Sequence, residues 1–202
     1  MSESGELAAG DFSVWLTEMT AAIRGEAASD VPCDGCTACC RSSQFIHIGP
    51  EEIDVLAHIP AGLLFPAPRL PRGHVLMGYD ERGHCPMLVD DRCSIYEHRP
   101  RTCRTYDCRV FPAAGLEPDD DKADIAARAL RWKFTYPTDI DRAQHQAVRA
   151  AAAYIRDGND LPTTTQIAVL AVEVHAAFLG NDHPSPKAVR AELTLRGSAP
   201  LL

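Results

Sequence analysis

All eight cysteines of this 202-residue chain fall between Cys33 and Cys108. Four open the run as Cys33-x2-Cys36-x2-Cys39-Cys40, and Cys85, Cys93, Cys103 and Cys108 close it. A C-x2-C step lets two sulfurs converge from one tight turn onto a single ion or cluster corner, and Gly35 eases that turn. The ligand is the thiolate, so binding expels a proton and the metal then keeps the sulfur deprotonated. Three cysteines at successive x2 steps are spaced like the bacterial ferredoxin run, where a Cys-Pro supplies the remote ligand; Cys85-Pro86 is the matching dipeptide. Cys33, Cys36, Cys39 and Cys85 are therefore the expected cluster ligands, and all eight cysteines are candidate metal ligands. Eight thiolates exceed the four of a closed zinc site, which leaves two four-ligand centres or one centre with spare thiols. Cys39-Cys40 bears on that choice. In extended backbone neighbouring side chains point to opposite faces, which favours two centres, whereas a turn there removes the objection.

The compartment decides whether such cysteines are ligands or crosslinks. The chain opens MSESGELAAGDF, without the basic and apolar regions of a secretory signal. No stretch approaches the ~18 apolar residues of a membrane helix. The expectation is a cytoplasmic protein with no membrane contact, where structural disulfides are rare and cysteines serve first as ligands. A formal charge of −8 and a pI near 5.4 argue against nucleic acid as a partner.

The apolar pattern predicts helices around this cysteine run. Phe12, Trp15, Leu16, Met19, Ala22 and Ile23 recur at helical spacing over 11–28, with Asp11 as N-cap. Phe45-Ile46-His47-Ile48 reads as a short strand, and Gly49-Pro50-Glu51-Glu52 as the start of a short helix through Ile53, Leu56 and Ala57. Residues 60–74, rich in proline, read as an irregular loop. Met87-Leu88-Val89 and Ser94-Ile95-Tyr96, on either side of Asp90-Asp91-Arg92, predict a hairpin. Helices are expected over 119–134, 139–157 and 163–180, with a shorter one after Pro186. Asp119-Asp120-Asp121 reads as an acidic first turn, not a metal site. The fold class expected is α+β and mostly helical. A single domain over 1–202 would hold a small, metal-organised cysteine region with short strands (30–111), packed against a C-terminal helical part (119–196).

Arg92, Arg99, Arg101, Arg104 and Arg109 crowd the second half of the cysteine region. Guanidinium groups there can offset the net negative charge of a thiolate-bound centre and donate to sulfur. His47, His84 and His98 are candidates to join the ligands, whereas His145, His175 and His183 read as structural.

Cys33-Asp34-Gly35-Cys36-Thr37-Ala38-Cys39-Cys40-Arg41, the 49–53 helix start and Cys85-Pro86-Met87-Leu88 together resemble the CxxCxxCC cysteine-cluster proteins, the YkgJ-like family. The most specific segment is Cys93-Ser94-Ile95-Tyr96-Glu97-His98-Arg99-Pro100-Arg101-Thr102-Cys103-Arg104, which is similar to that family's C-x-I-Y-x-x-R-P-x-x-C-R signature. The resemblance covers about 33–111. It implies zinc or iron chelation, and a related flagellin lysine methylase implies iron–sulfur chemistry for some relatives.

Three functions follow as expectations. The first is a [4Fe–4S] protein with an electron-transfer or redox-supporting role, possible as an oxidoreductase, working with an unknown protein or redox partner. The second is a structural zinc-binding interaction module. The third is an iron–sulfur-dependent group-transfer enzyme, weakened by the absence of the radical-SAM spacing C-x3-C-x2-C. No phosphate loop, nucleotide-binding glycine fingerprint or Ser-His-Asp motif is present.

Overall fold

The computed structural model describes residues 5–27, 31, 35–158, 163–180 and 184–195. Cys33 and His183 lie outside them. In chain order come β1 (Leu7–Asp11), α1 (Phe12–Arg24), β2 (Ile46–Ile48), α2 (Ile53–Ala57), β3 (Leu64–Pro66), β4 (Val75–Met77), β5 (Leu88–Val89) and β6 (Arg92–Cys93). Then follow α3 (Arg101–Thr105), α4 (Val110–Ala114), α5 (Ala123–Ala129), β7 (Trp132–Thr135), α6 (Asp139–Arg156), α7 (Thr164–Val174) and α8 (Pro186–Leu195). Helices outweigh strands, so the fold class is α+β and mostly helical. The chain divides into two compact units, Met1–Ser29 with Asp107–Leu202, and Asp30–Tyr106. Among the described residues no helix is long and apolar enough to cross a membrane.

In the first unit α1, α4, α6 and α7 pack on one another. The α1 stripe is buried as its spacing predicts, at Phe12, Trp15, Leu16, Met19 and Ala22. Alanines at 147, 151, 152, 168 and 171, all buried, let the backbones of α6 and α7 approach closely. Both helices begin in capping boxes, Thr138 with Asp141 and Thr163 with Gln166. Asp141 does more than close its own helix. Fully buried, it accepts the Thr138 N–H at 2.9 Å, the Thr138 hydroxyl at 2.6 Å and the Ser13 N–H at 2.9 Å. The α1 start is thus capped from α6. Asp11 occupies the N-cap position, but its carboxylate accepts from the Thr135 hydroxyl instead.

That last bond marks a pairing the periodicity did not show. β1 and β7 form a parallel two-stranded sheet, with Leu7 opposite Trp132 and Asp11 opposite Thr135. The helix expected over 119–134 is therefore a 3-10 turn at Asp120–Lys122, then α5, then a strand. Ile125 and Ala129 are buried on α5 as expected, but Trp132 belongs to the strand. A partner more than a hundred residues away overrides local periodicity here. The helix expected over 163–180 is also shorter, passing at His175–Phe178 into a 3-10 turn before Gly180 at φ 69°.

The second unit is built on an antiparallel sheet in the order β2-β4-β3, with Ile46 and Leu64 both opposite Met77. The loop expected over 60–74 thus contains a 3-10 turn, Ala61–Leu63, and a strand. β3 is an edge strand, where the missing N–H of Pro66 is tolerated. The expected hairpin forms with tighter limits. Leu88 faces Cys93 and Val89 faces Arg92, so the turn is Asp90-Asp91 alone and Ser94-Ile95-Tyr96 lies beyond the strand. Both aspartates have positive φ, 48° and 60°, the conformation of a two-residue turn matched to strand twist. Ile46, Ile48, Val55, Ile59, Met77 and Ile95 form the apolar core of this unit.

Candidate metal centre

Six cysteines, Cys36, Cys39, Cys40, Cys85, Cys93 and Cys103, line one cavity of about 370 Å³ in the second unit. Two walls supply them. Cys36, Cys39 and Cys40 come from the loop after Gly35, whose φ of 75° suits a residue without a Cβ. Cys39-Cys40 sits in a 3-10 turn, Cys39–Arg41, closed by the Arg41 N–H to Ala38 C=O bond and by the Ser42 hydroxyl to the same carbonyl at 2.7 Å. A turn, not extended backbone, lets both neighbours face one cavity, and the geometric case for two centres falls away.

Cys85, Cys93 and Cys103 make the other wall and pack directly against the apolar core. Cys103 rides on α3, whose start is held by Glu52: one carboxylate oxygen accepts the Arg101 N–H at 2.6 Å and the other the Gly49 N–H at 2.8 Å. The Thr102 hydroxyl donates to the His47 carbonyl at 2.8 Å and ties α3 to β2. Cys93 stands on β6. The walls are joined by the Cys85 N–H to Cys40 C=O bond at 2.7 Å and by the Arg41–Asp91 ion pair. No disulfide links the described cysteines.

Burial pushes the Cys85 thiol pKa above its ordinary value, while N–H groups of Met87 and Leu88 bond to the sulfur and pull the other way. Its neutral form is the resting form without metal, yet its turn already presents two donors to a thiolate. Among the described residues no three Cys, His, Asp or Glu side chains stand close enough to grip one ion as placed.

The other candidates separate cleanly. Of the five arginines only Arg92 and Arg99 line the cavity; Arg99 is 4% exposed, with its guanidinium 3.6 Å from the Tyr96 ring centroid. Arg104 donates to the Glu97 and Arg99 carbonyls, and Arg109 belongs to the first unit, paired with Asp107 at 2.7 Å. His47, His84 and His98 do not line the cavity. Cys108 lies in the first unit, where its sulfur accepts the Trp132 indole N–H at 3.1 Å. His145 stacks on Phe12 at 4.5 Å, and buried His175 bonds the Val172 carbonyl. Sequence reasoning missed Met77 and Met87, two thioethers on the cavity wall; Met87 follows Cys85-Pro86 directly, but nothing local marks Met77.

A small sheet and a hairpin thus frame one cavity lined by six cysteines. Residues 32–129, just under half of the chain, match the model of the CxxCxxCC family, described as a "Putative zinc- or iron-chelating domain". The match takes in the expected 33–111 and continues to the end of α5. No curated protein and no solved structure matches the chain.

Proposed function

We propose that the cavity holds an iron–sulfur centre, a [4Fe–4S] cluster, and that the protein transfers electrons or supports redox chemistry. The single observation that carries this reading is six thiols around one cavity of about 370 Å³. A closed zinc site and a [4Fe–4S] cluster each take four thiolates, so volume makes the difference: one zinc ion fills little of a space equal to roughly a dozen waters. A cluster uses cysteine ligands too, but brings its own sulfides and bulk. Cys36, Cys39 and Cys85 are the proposed ligands on the cavity wall, with Cys33 added from its x2 spacing alone; Cys40, Cys93 and Cys103 remain as further thiolates of the same cavity. Cation from Arg92 and Arg99 suits a negatively charged centre. When bound, the cluster would supply one-electron transfer, held by these cysteines beside the apolar side chains Ile46, Met77 and Ile95 of the cavity wall.

The deciding experiment is anaerobic purification with elemental analysis and a visible spectrum. Brown protein containing iron and acid-labile sulfide supports the proposal. Colourless protein with stoichiometric zinc and no iron overturns it in favour of a structural zinc module.

A further inference from the structure

Alternation along β2 separates two faces of the small sheet. Ile46 and Ile48 are buried, and Ile46 lines the cysteine cavity, so His47 between them projects from the opposite face. In the antiparallel ladder His47 stands opposite Leu76. His74 lies two residues before Leu76, on the same face, and the Ala67 N–H to His74 C=O bond at 3.0 Å continues the β3–β4 ladder through it. The two histidines are therefore diagonal neighbours whose rings can meet. They do: His47 Nε2 and His74 Nδ1 are 2.9 Å apart, with ring planes 16° from parallel.

We propose that this pair is a second metal site, a clasp for a divalent cation of the zinc class on the face of the sheet away from the cysteines. As a hydrogen bond, the contact has one ring donate its N–H to the lone pair of the other. A cation in place of that proton takes a lone pair from each ring, and imidazole suits cations of zinc's borderline softness. With Zn–N bonds of roughly 2.0–2.1 Å at a tetrahedral angle, the two nitrogens stand roughly 3.3 Å apart. The pair need open by only about 0.4 Å from its 2.9 Å to admit the ion. The inference goes beyond the iron–sulfur reading and does not require it, since neither histidine lines the cavity.

Nearby carboxylates favour a cation there. Glu52 and Glu51 both act on His47 so as to favour positive charge at its ring. Glu52 is committed, its two oxygens accepting the Gly49 and Arg101 N–H groups. Glu51 is exposed, and its carboxylate lies over Gly49, where a Cβ would collide with it. Glycine at 49 thus leaves the Glu51 side chain room two residues from His47. As placed, no third Cys, His, Asp or Glu among the described residues completes the set. Rotation of Glu51 toward the pair supplies the third ligand, and water takes the remaining position.

The test is equilibrium dialysis of the full chain, carrying the metal it holds on purification, against zinc chloride at pH 7.5 with a non-thiol reductant. His74→Gln and Glu51→Gln variants are dialysed beside it. All the cysteines are present in each protein, so zinc taken up by thiols cancels in the comparison. The unaltered protein should bind one zinc more than His74→Gln, and Glu51→Gln should keep that zinc with several-fold weaker affinity. Equal zinc uptake by the unaltered protein and His74→Gln overturns the site, and unchanged affinity in Glu51→Gln removes the carboxylate from it. Should His74→Gln fold poorly, the unaltered protein still decides. On zinc binding the nitrogen-15 resonances of His47 Nε2 and His74 Nδ1 should shift together, and a titration that moves neither overturns the clasp. Iron content of the same samples bears on the cluster reading alone.

Discussion

The two units solve the same folding problem with different means. The first buries Phe12, Leu16, Phe111, Ile125, Val148, Val172 and Val174 almost completely, and α6 alone runs for eighteen residues. Its aromatic rings interlock, Phe12 and Trp15 each meeting Phe134 at 4.9 Å. The second unit has a six-residue core, strands of two or three residues and helices of five. Units below ~70–80 residues seldom gain enough from a core alone and depend on staples such as metals. Here the candidate staples are part of the core's own edge, since Cys85, Cys93 and Cys103 pack against it.

Metal removal should separate the units most. A strong chelator under reducing conditions is expected to unfold Asp30–Tyr106, while the helical circular dichroism falls only modestly. Both tryptophans, Trp15 and Trp132, belong to the first unit, so their fluorescence reads that unit by itself. Fluorescence should stay native as thiol reactivity rises. A second unit equally resistant to denaturant with and without metal would break the comparison.

A core truncation should come next. Ile48, fully buried at the centre of the small core, loses about 2–5 kcal/mol of stability as Ile48→Ala. That is a large share of what so small a unit has, so the variant should lose metal and precipitate or expose its thiols, with tryptophan fluorescence unchanged. Full metal content and native thiol protection in Ile48→Ala would show a second unit stabilised well beyond its core.

These contrasts also explain what the sequence could reveal. Helical stripes were legible because α1, α6 and α7 bury one face each, at the 3.6-residue period, and Thr163 and Gly180 punctuate one end each. The cysteine cavity was legible because ligand spacing is a local property at Cys36, Cys39 and Cys40. β1 with β7, and β3 within the proline-rich segment, were not legible. Their pairing depends on partners remote in sequence, and strands of three to five residues leave too little alternation to read. Asp141 illustrates the same limit. It reads as an ordinary N3 acid of α6, and only the fold brings the Ser13 N–H to it.

Acid should act on that carboxylate in the first unit. Hydrogen bonds from Ser13 and Thr138 hold the Asp141 pKa well below its ordinary 3.8. The folded state therefore binds fewer protons than the unfolded state as pH falls past 3.8, and the stabilisation, complete above that value, is progressively lost below it. In an acid titration followed by tryptophan fluorescence, Asp141→Asn should be less stable than the unaltered protein at pH 7 and should show a flatter acid limb. Parallel acid limbs would remove Asp141 from the account.

The smallest effect sharpens the comparison most, because it touches one helix end and no core. The Thr163 hydroxyl accepts the Gln166 N–H at 3.3 Å, and the Gln166 side chain accepts the Thr163 N–H at 2.9 Å, on the exposed start of α7. Thr163→Ala removes one of these two bonds and leaves an N–H that water can reach, so the expected loss is about 1 kcal/mol. Denaturant titration read by tryptophan fluorescence should show the midpoint fall with an unchanged slope, which places the loss in stability, not in the extent of unfolding. Metal content and cysteine reactivity under native conditions should match the unaltered protein. A Thr163→Ala protein that also releases metal would mean that a loss of this size in the helical unit reaches the cysteine cavity, and that the two units do not stand on separate sources of stability.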